Sequence, residues 1–218
     1  MTVDPKKLQQ LEDLQAQVRQ LEAEVQADQA INPWPPKNFY SEYHATTGFI
    51  LGMIAAAASL LVNVVGAPVA GKSPLELIRI YLTFPLGEKA LQLTANAKDV
   101  YVVGDGLILA MGCCLYLGTG MLLGVPFFVT LSWLTEGKSV VYRLVVATVL
   151  ATGLWIINFY CILAWLQPAL FGGSWIVDPS VLPRWVALVT HLVFGWTLAL
   201  LYPWGQFQGY PSVNRNSN

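Results

Sequence analysis

The stretch that decides the fold runs from Gly104 to Trp133 and reads GDGLILAMGCCLYLGTGMLLGVPFFVTLSW. Asp105 is its single charged residue. The part from Gly104 to Gly124 is 21 residues long. A helix of that length measures about 31 Å, which matches the hydrocarbon thickness of a bilayer. The sequence therefore predicts a membrane-spanning helix here.

Small side chains repeat at every fourth position of this predicted helix. They are Gly106, Ala110, Cys114 and Gly118, and a second small-xxx-small step follows at Gly120 and Gly124. Lipid tails are as apolar as leucine, so helices in a membrane associate through close backbone packing, which small residues permit. We therefore expect this helix at the centre of a bundle, with Gly118 against a neighbouring helix.

The composition is that of an integral membrane protein. The 218 residues are 55% hydrophobic and 11% charged, whereas soluble domains carry about 25% charged residues. The net charge of −1 does not favour nucleic acid as a partner. Three cysteines fall inside predicted spans, where cysteine behaves as a small hydrophobe; they are Cys113, Cys114 and Cys161. Neither they nor the histidines form a metal-binding pattern.

The charges separate a polar N-terminal part from the membrane part. Residues 1–43 hold 11 of the 25 charged residues, and we expect them to form a coiled-coil-like helix followed by a proline-rich linker. Within residues 8–28 the apolar side chains follow a heptad seam, formed by Leu11, Leu14, Val18, Leu21 and Val25. Self-association or docking through this seam is one interpretation, and a solvated helix without a fixed partner is the other.

Residues 44–206 are predicted to form a four-helix transmembrane domain, and residues 207–218 a flexible tail. The predicted spans are 45–66, 104–124, 140–166 and 184–202. The first span carries its own row of small residues at Gly48, Gly52 and Ala56, so we expect it to pack against the second. Between these spans, Ser73 and Glu76 form a capping box that opens a short apolar helix. This helix is too short to span and is expected to lie in the membrane interface.

Three polar residues are candidates for a site within the membrane part: Asp105, Asn158 and His191. Asp105 suits the N-terminal end of a helix, and its alternative role is an ion contact at a pore mouth. Asn158 and His191 have similar predicted depths, so we expect a structural hydrogen bond between them, with His191 neutral. No cofactor is predicted, although His191 is the residue that would hold a haem. His44 is too far from it in depth to complete a pair of ligands.

The sequence contains no recognisable catalytic motif, so we do not expect an enzyme. The first hypothesis is an accessory or assembly subunit of a larger membrane complex, with the N-terminal helix as its docking arm. The alternatives are an oligomeric conduit for ions or small solutes and a haem-binding electron-transfer subunit. A bacterial-type inner membrane is the expected location, with both termini in the cytoplasm because a charged coil without a signal is awkward to translocate.

This orientation can be tested by cysteine labelling in intact cells. We predict that a membrane-impermeant maleimide modifies Lys89→Cys and spares Gln20→Cys, each in a background whose three native cysteines are replaced by alanine. Lysed cells provide the control, because both positions should then react. Labelling of position 20 but not of position 89 in intact cells would reverse the topology.

Overall fold

The structure is a computed structural model that describes residues 5–31, 40–92 and 103–206. All elements in these ranges are helical, and no strand occurs among them. The chain divides into two compact units, one of which contains the N-terminal helix and the other residues 39–208. Residues 32–39, which include the prolines of the predicted linker, and the predicted tail at 207–218 lie outside the described residues.

The N-terminal unit contains helix α1 (Pro5–Ile31). Its first residue is a proline, which suits the first helical position because its missing N–H would have no partner there. The heptad side chains are exposed, with relative accessibilities between 49% at Val18 and 60% at Leu21. Helix α1 therefore presents an apolar seam that is not buried within the unit.

The second unit contains the predicted membrane part. Its helices are α2 (Ser41–Gly66), α3 (Pro74–Leu86), α4 (Lys89–Gln92), α5 (Val103–Thr135), α6 (Val140–Ile156), α7 (Ala164–Phe171) and α8 (Arg184–Leu201). A π-helix (Ile157–Leu163) joins α6 directly to α7, and 3₁₀ turns extend α2 and α8.

Within the described residues, four helical segments are long and apolar enough to cross a membrane: Ser41–Ala70, Leu109–Thr135, Val140–Phe171 and Arg184–Gly205. The prediction of four such helices is therefore confirmed. Two prolines lie inside helices, since α5 continues past Pro126 and α7 past Pro168. After Pro126, Phe127, Phe128 and Leu131 are buried, so packing against the other helices holds the segment helical.

Helix α3 begins as the sequence predicts. Ser73 Oγ accepts from Glu76 N at 3.1 Å, and the Glu76 carboxylate accepts from Ser73 N at 3.4 Å, so both halves of the capping box are present. Most of the following turns are buried, including Leu77, Ile80 and Leu82. Helix α3 is therefore an integral part of this unit's core.

The closest contact in the bundle is between α2 and α5. A Cβ built on Gly48 would lie 2.6 Å from Gly124 O, and one built on Gly52 would clash with Gly120 O. Conversely, a Cβ on Gly124 would clash with Gly48 O, and one on Gly120 with the Ala56 side chain. Here the two backbones touch, as small residues permit in membrane helices.

The longer row of small residues on α5 does not take part in this contact, contrary to the sequence-based expectation. A Cβ on Gly106 or Gly118 would meet no atom of the described residues within 4 Å, and Ala110 and Cys114 are exposed. Successive residues on a helix are separated by about 100°, so Gly118 points roughly 160° away from Gly120. The expectation that Gly118 faces a helix of the same bundle was wrong for this reason.

Helices α5, α6 and α8 meet in an aromatic and small-residue core. Phe127 packs edge-to-face on Phe194 at 5.8 Å, and Ala147 and Ala151 are fully buried beside Gly195. Near the α5–α6 turn the buried Arg143 guanidinium lies 3.6 Å from the centre of the Tyr202 ring, and its Nη2 donates to Lys138 O at 3.4 Å. This cation–π contact links the start of α6 to the end of α8.

The contact between α2 and α5 predicts different effects on stability for substitutions at two glycines of α5. We expect Gly124→Ala to lower the free energy of unfolding by about 1–3 kcal/mol, because its methyl group would displace the α2 backbone. Gly118→Ala should cause no loss, since its methyl group meets open space. Unfolding in mixed micelles measures both. Equal stability of the two variants would contradict the contact.

Candidate functional site

A cavity of about 230 Å³ lies among α2, α3, α5, the π-helix and α8. Its lining is mostly apolar, and none of the described residues around it carries a charged side chain. The polar groups that reach it are Ser59, Tyr81, Tyr116, Thr119, Asn158, Thr190 and His191. A largely apolar cavity with a few convergent polar groups is the usual form of a small-molecule site.

A directed hydrogen-bond chain forms one wall. Ser59 Oγ lies 2.8 Å from Thr190 O and 2.7 Å from Tyr116 Oη. Because a carbonyl oxygen only accepts, Ser59 uses its proton on Thr190 O and must accept from Tyr116. This chain joins α2, α5 and α8 through one buried hydroxyl.

Tyr81 and Asn63 extend this wall toward α3. Asn63 Nδ2 donates to Tyr81 Oη at 2.9 Å, and the rings of Tyr81 and Tyr116 meet edge-to-face at 4.6 Å. Burial raises the pKa of the Tyr81 phenol well above its ordinary value, with the nearby Tyr116 adding to the shift. The phenol is therefore neutral at physiological pH, and the wall carries no charge.

His191 of α8 also lines the cavity. Its Nδ1 is 2.7 Å from Ala187 O, so Nδ1 carries a proton and donates to that carbonyl. The ring also packs edge-to-face on Phe159 at 5.7 Å. With Nδ1 occupied, Nε2 is the ring nitrogen that remains for a ligand.

The predicted hydrogen bond between His191 and Asn158 is not formed among the described residues. Both side chains line the cavity, but His191 bonds to its own helix and is covered by Phe159. Asn158 lies in the π-helix, whose i→i+5 turn holds one residue more than an α-turn. The extra residue changes the direction of the side chains around the helix axis, and Phe159 rather than Asn158 packs against His191.

The other predicted site residue is Asp105, and His44 is the second histidine of the sequence. Asp105 is in the first turn of α5. His44 is buried near the start of α2 beside Phe128, with ring centres 6.0 Å apart, and does not line the cavity. No cluster of three or more potential metal ligands occurs among the described residues.

Sequence reasoning missed the contribution of Gln167. Its Nε2 donates to Thr83 Oγ1 at 3.0 Å, and its Oε1 accepts from Ile176 N at 2.9 Å. The fully buried amide thus fixes the loop after α7 against α3 and places Ile176 in the cavity wall. In the sequence, Gln167 simply precedes Pro168, and nothing in this pattern indicates that its amide holds the loop in place.

No protein-family model, curated protein or solved structure matches this chain.

Two intramembrane asparagines provide a matched test of this geometry. We expect Asn63→Leu to lower the free energy of unfolding by about 1 kcal/mol, because it leaves the buried Tyr81 hydroxyl without its donor. Asn158→Leu should have little effect, since no described residue bonds to its amide. Unfolding of both variants in mixed micelles is the measurement. A larger loss for Asn158→Leu would show that its amide has a structural partner.

Proposed function

We propose that this protein is a non-catalytic accessory or assembly subunit of a larger integral membrane complex. The observation that carries this proposal is the exposed heptad seam of α1. Five apolar side chains are about half exposed at a and d positions, and such a seam is stable when a second helix covers it. The membrane helices would hold the subunit in place while α1 docks on a partner helix or on a second copy.

The outer face of α5 supports the same proposal. Its small residues at Gly106, Ala110, Cys114 and Gly118 are not used by the described part of this chain. Small residues in register allow a helix of another membrane subunit to approach closely. The chain would thus offer one contact inside the bilayer and a second one outside it.

In this proposal the protein resides in a bacterial-type inner membrane with both termini in the cytoplasm. Helix α1 would then meet the cytoplasmic side of its partner, and α3 would lie at the opposite interface. The charge distribution supports this orientation only through the polar N-terminal part, which is difficult to translocate.

The cavity favours neither of the alternative functions. An ion conduit needs polar or charged groups along its path, whereas the described lining is mostly apolar and carries no charged side chain. A cavity of about 230 Å³ is also too small for a haem, whose macrocycle contains four pyrrole rings.

The proposal can be tested with two matched double variants of α1. Leu14→Asp with Leu21→Asp places two charges on the seam, and Ala16→Asp with Ala23→Asp places them on the opposite face. We expect wild type, extracted from native membranes in mild detergent, to migrate well above its 23.9 kDa monomer mass. The seam variant should lose this assembly, and the control should retain it.

Thermal unfolding of the purified variants serves as the control for folding, because neither change touches the membrane helices. Tagged and untagged copies expressed together distinguish self-association from a different partner. A wild-type protein that migrates as a lone monomer, or a seam variant that retains the full assembly, would contradict the proposal.

A further inference from the structure

We infer that the cavity binds an uncharged lipophilic molecule whose head is a single ring bearing a hydroxyl group, held by Nε2 of His191 and the amide of Asn158. This role is independent of the docking function proposed for α1. It rests on the size, charge, hydrogen-bonding capacity and access of the cavity.

The volume sets the size of the head group. A benzene ring binds in an engineered protein cavity of about 150 Å³, and the present cavity measures about 230 Å³. One ring with small substituents fits this space, whereas a fused polycycle does not. Aromatic walls suit such a ring, because Phe159 and Phe194 can offer it edge-to-face contacts.

The absence of charged side chains among the described lining residues determines the polarity of the ligand's head group. A buried ion costs several kcal/mol unless an opposite charge accompanies it, and the cavity offers none. A carboxylate, phosphate or ammonium head is therefore excluded, and a neutral polar group is required.

Unused hydrogen-bonding capacity identifies that group. Ser59, Thr119 and Thr190 already donate to backbone carbonyls of the protein. Tyr116 donates to Ser59, and Tyr81 accepts from Asn63. Since Nδ1 of His191 donates to Ala187 O, Nε2 of a neutral ring can only accept, and the ligand must donate to it. Asn158 can donate in return. A hydroxyl group satisfies both residues, because it donates one hydrogen bond and accepts another.

Access to the cavity comes from the side of the bundle. Thr119 lines the cavity and is exposed, and it lies near the middle of the segment Leu109–Thr135. At that depth the bundle faces lipid tails, so a lipophilic molecule enters from the bilayer and its tail remains there. The π-helix forms the neighbouring wall, and such irregular turns occur frequently at functional sites.

The test compares para-hexylphenol with para-hexylanisole, which has nearly the same shape but cannot donate a hydrogen bond. Binding to the purified full-length protein is measured by the ligand-dependent rise in thermal unfolding temperature. We expect the phenol to bind roughly tenfold more tightly than the ether, as the loss of one hydrogen bond to a buried acceptor implies. Equal affinities would overturn the proposal, since the cavity would then take any apolar chain.

Two kinds of variant locate the binding. His191→Phe keeps an aromatic ring but removes the acceptor, so the roughly tenfold preference for the phenol should disappear while binding of the ether remains. Thr119→Trp narrows the lateral opening and should weaken binding of both probes. Leu122→Trp, on the lipid-exposed side of the same helix, is its matched control. Unchanged preference in His191→Phe, or equal binding by the two tryptophan variants, would contradict the assignment.

Discussion

The backbone contact between α2 and α5 is the constraint on which the remaining structure depends. Gly48 and Gly52 bring α2 so close to Gly120 and Gly124 that no side chain separates the helices. This distance lets Ser59 on α2 bond to Tyr116 on α5 and to the backbone of α8. In a membrane, where apolar burial drives association only weakly, such close packing supplies much of the attraction between helices.

The two ends of the bundle differ in how completely they are filled. Near the α5–α6 turn, large rings fill the space, with Phe128 against Tyr202 at 6.0 Å. Toward the π-helix, a cavity of about 230 Å³ remains among α2, α3, α5 and α8. A half filled by large rings and a half that contains the cavity therefore coexist in the same set of helices.

The positions of the helices could be predicted from the sequence better than the faces through which they pack. Hydropathy and length located the four apolar helices, and Ser73 and Glu76 marked the start of α3, because these signals are local. The contact face of α5 was misassigned, since two rows of small residues compete and only the position of α2 decides between them. The π-helix was missed because no residue type announces it, and Asn158 was consequently paired with the wrong neighbour. The cavity could not be predicted, because it depends both on which face of α5 meets α2 and on the turn of the π-helix.

The contact between Arg143 and Tyr202 has a consequence for the order in which the chain is assembled. Arg143 lies at the start of α6, while Tyr202 follows the last residue of α8. A ribosome synthesises the arginine long before the ring that covers it. Until then the guanidinium has the Lys138 carbonyl but not its aromatic partner. The contact that ties the hairpin of α5 and α6 to the end of α8 can therefore form only after Tyr202 has been synthesised.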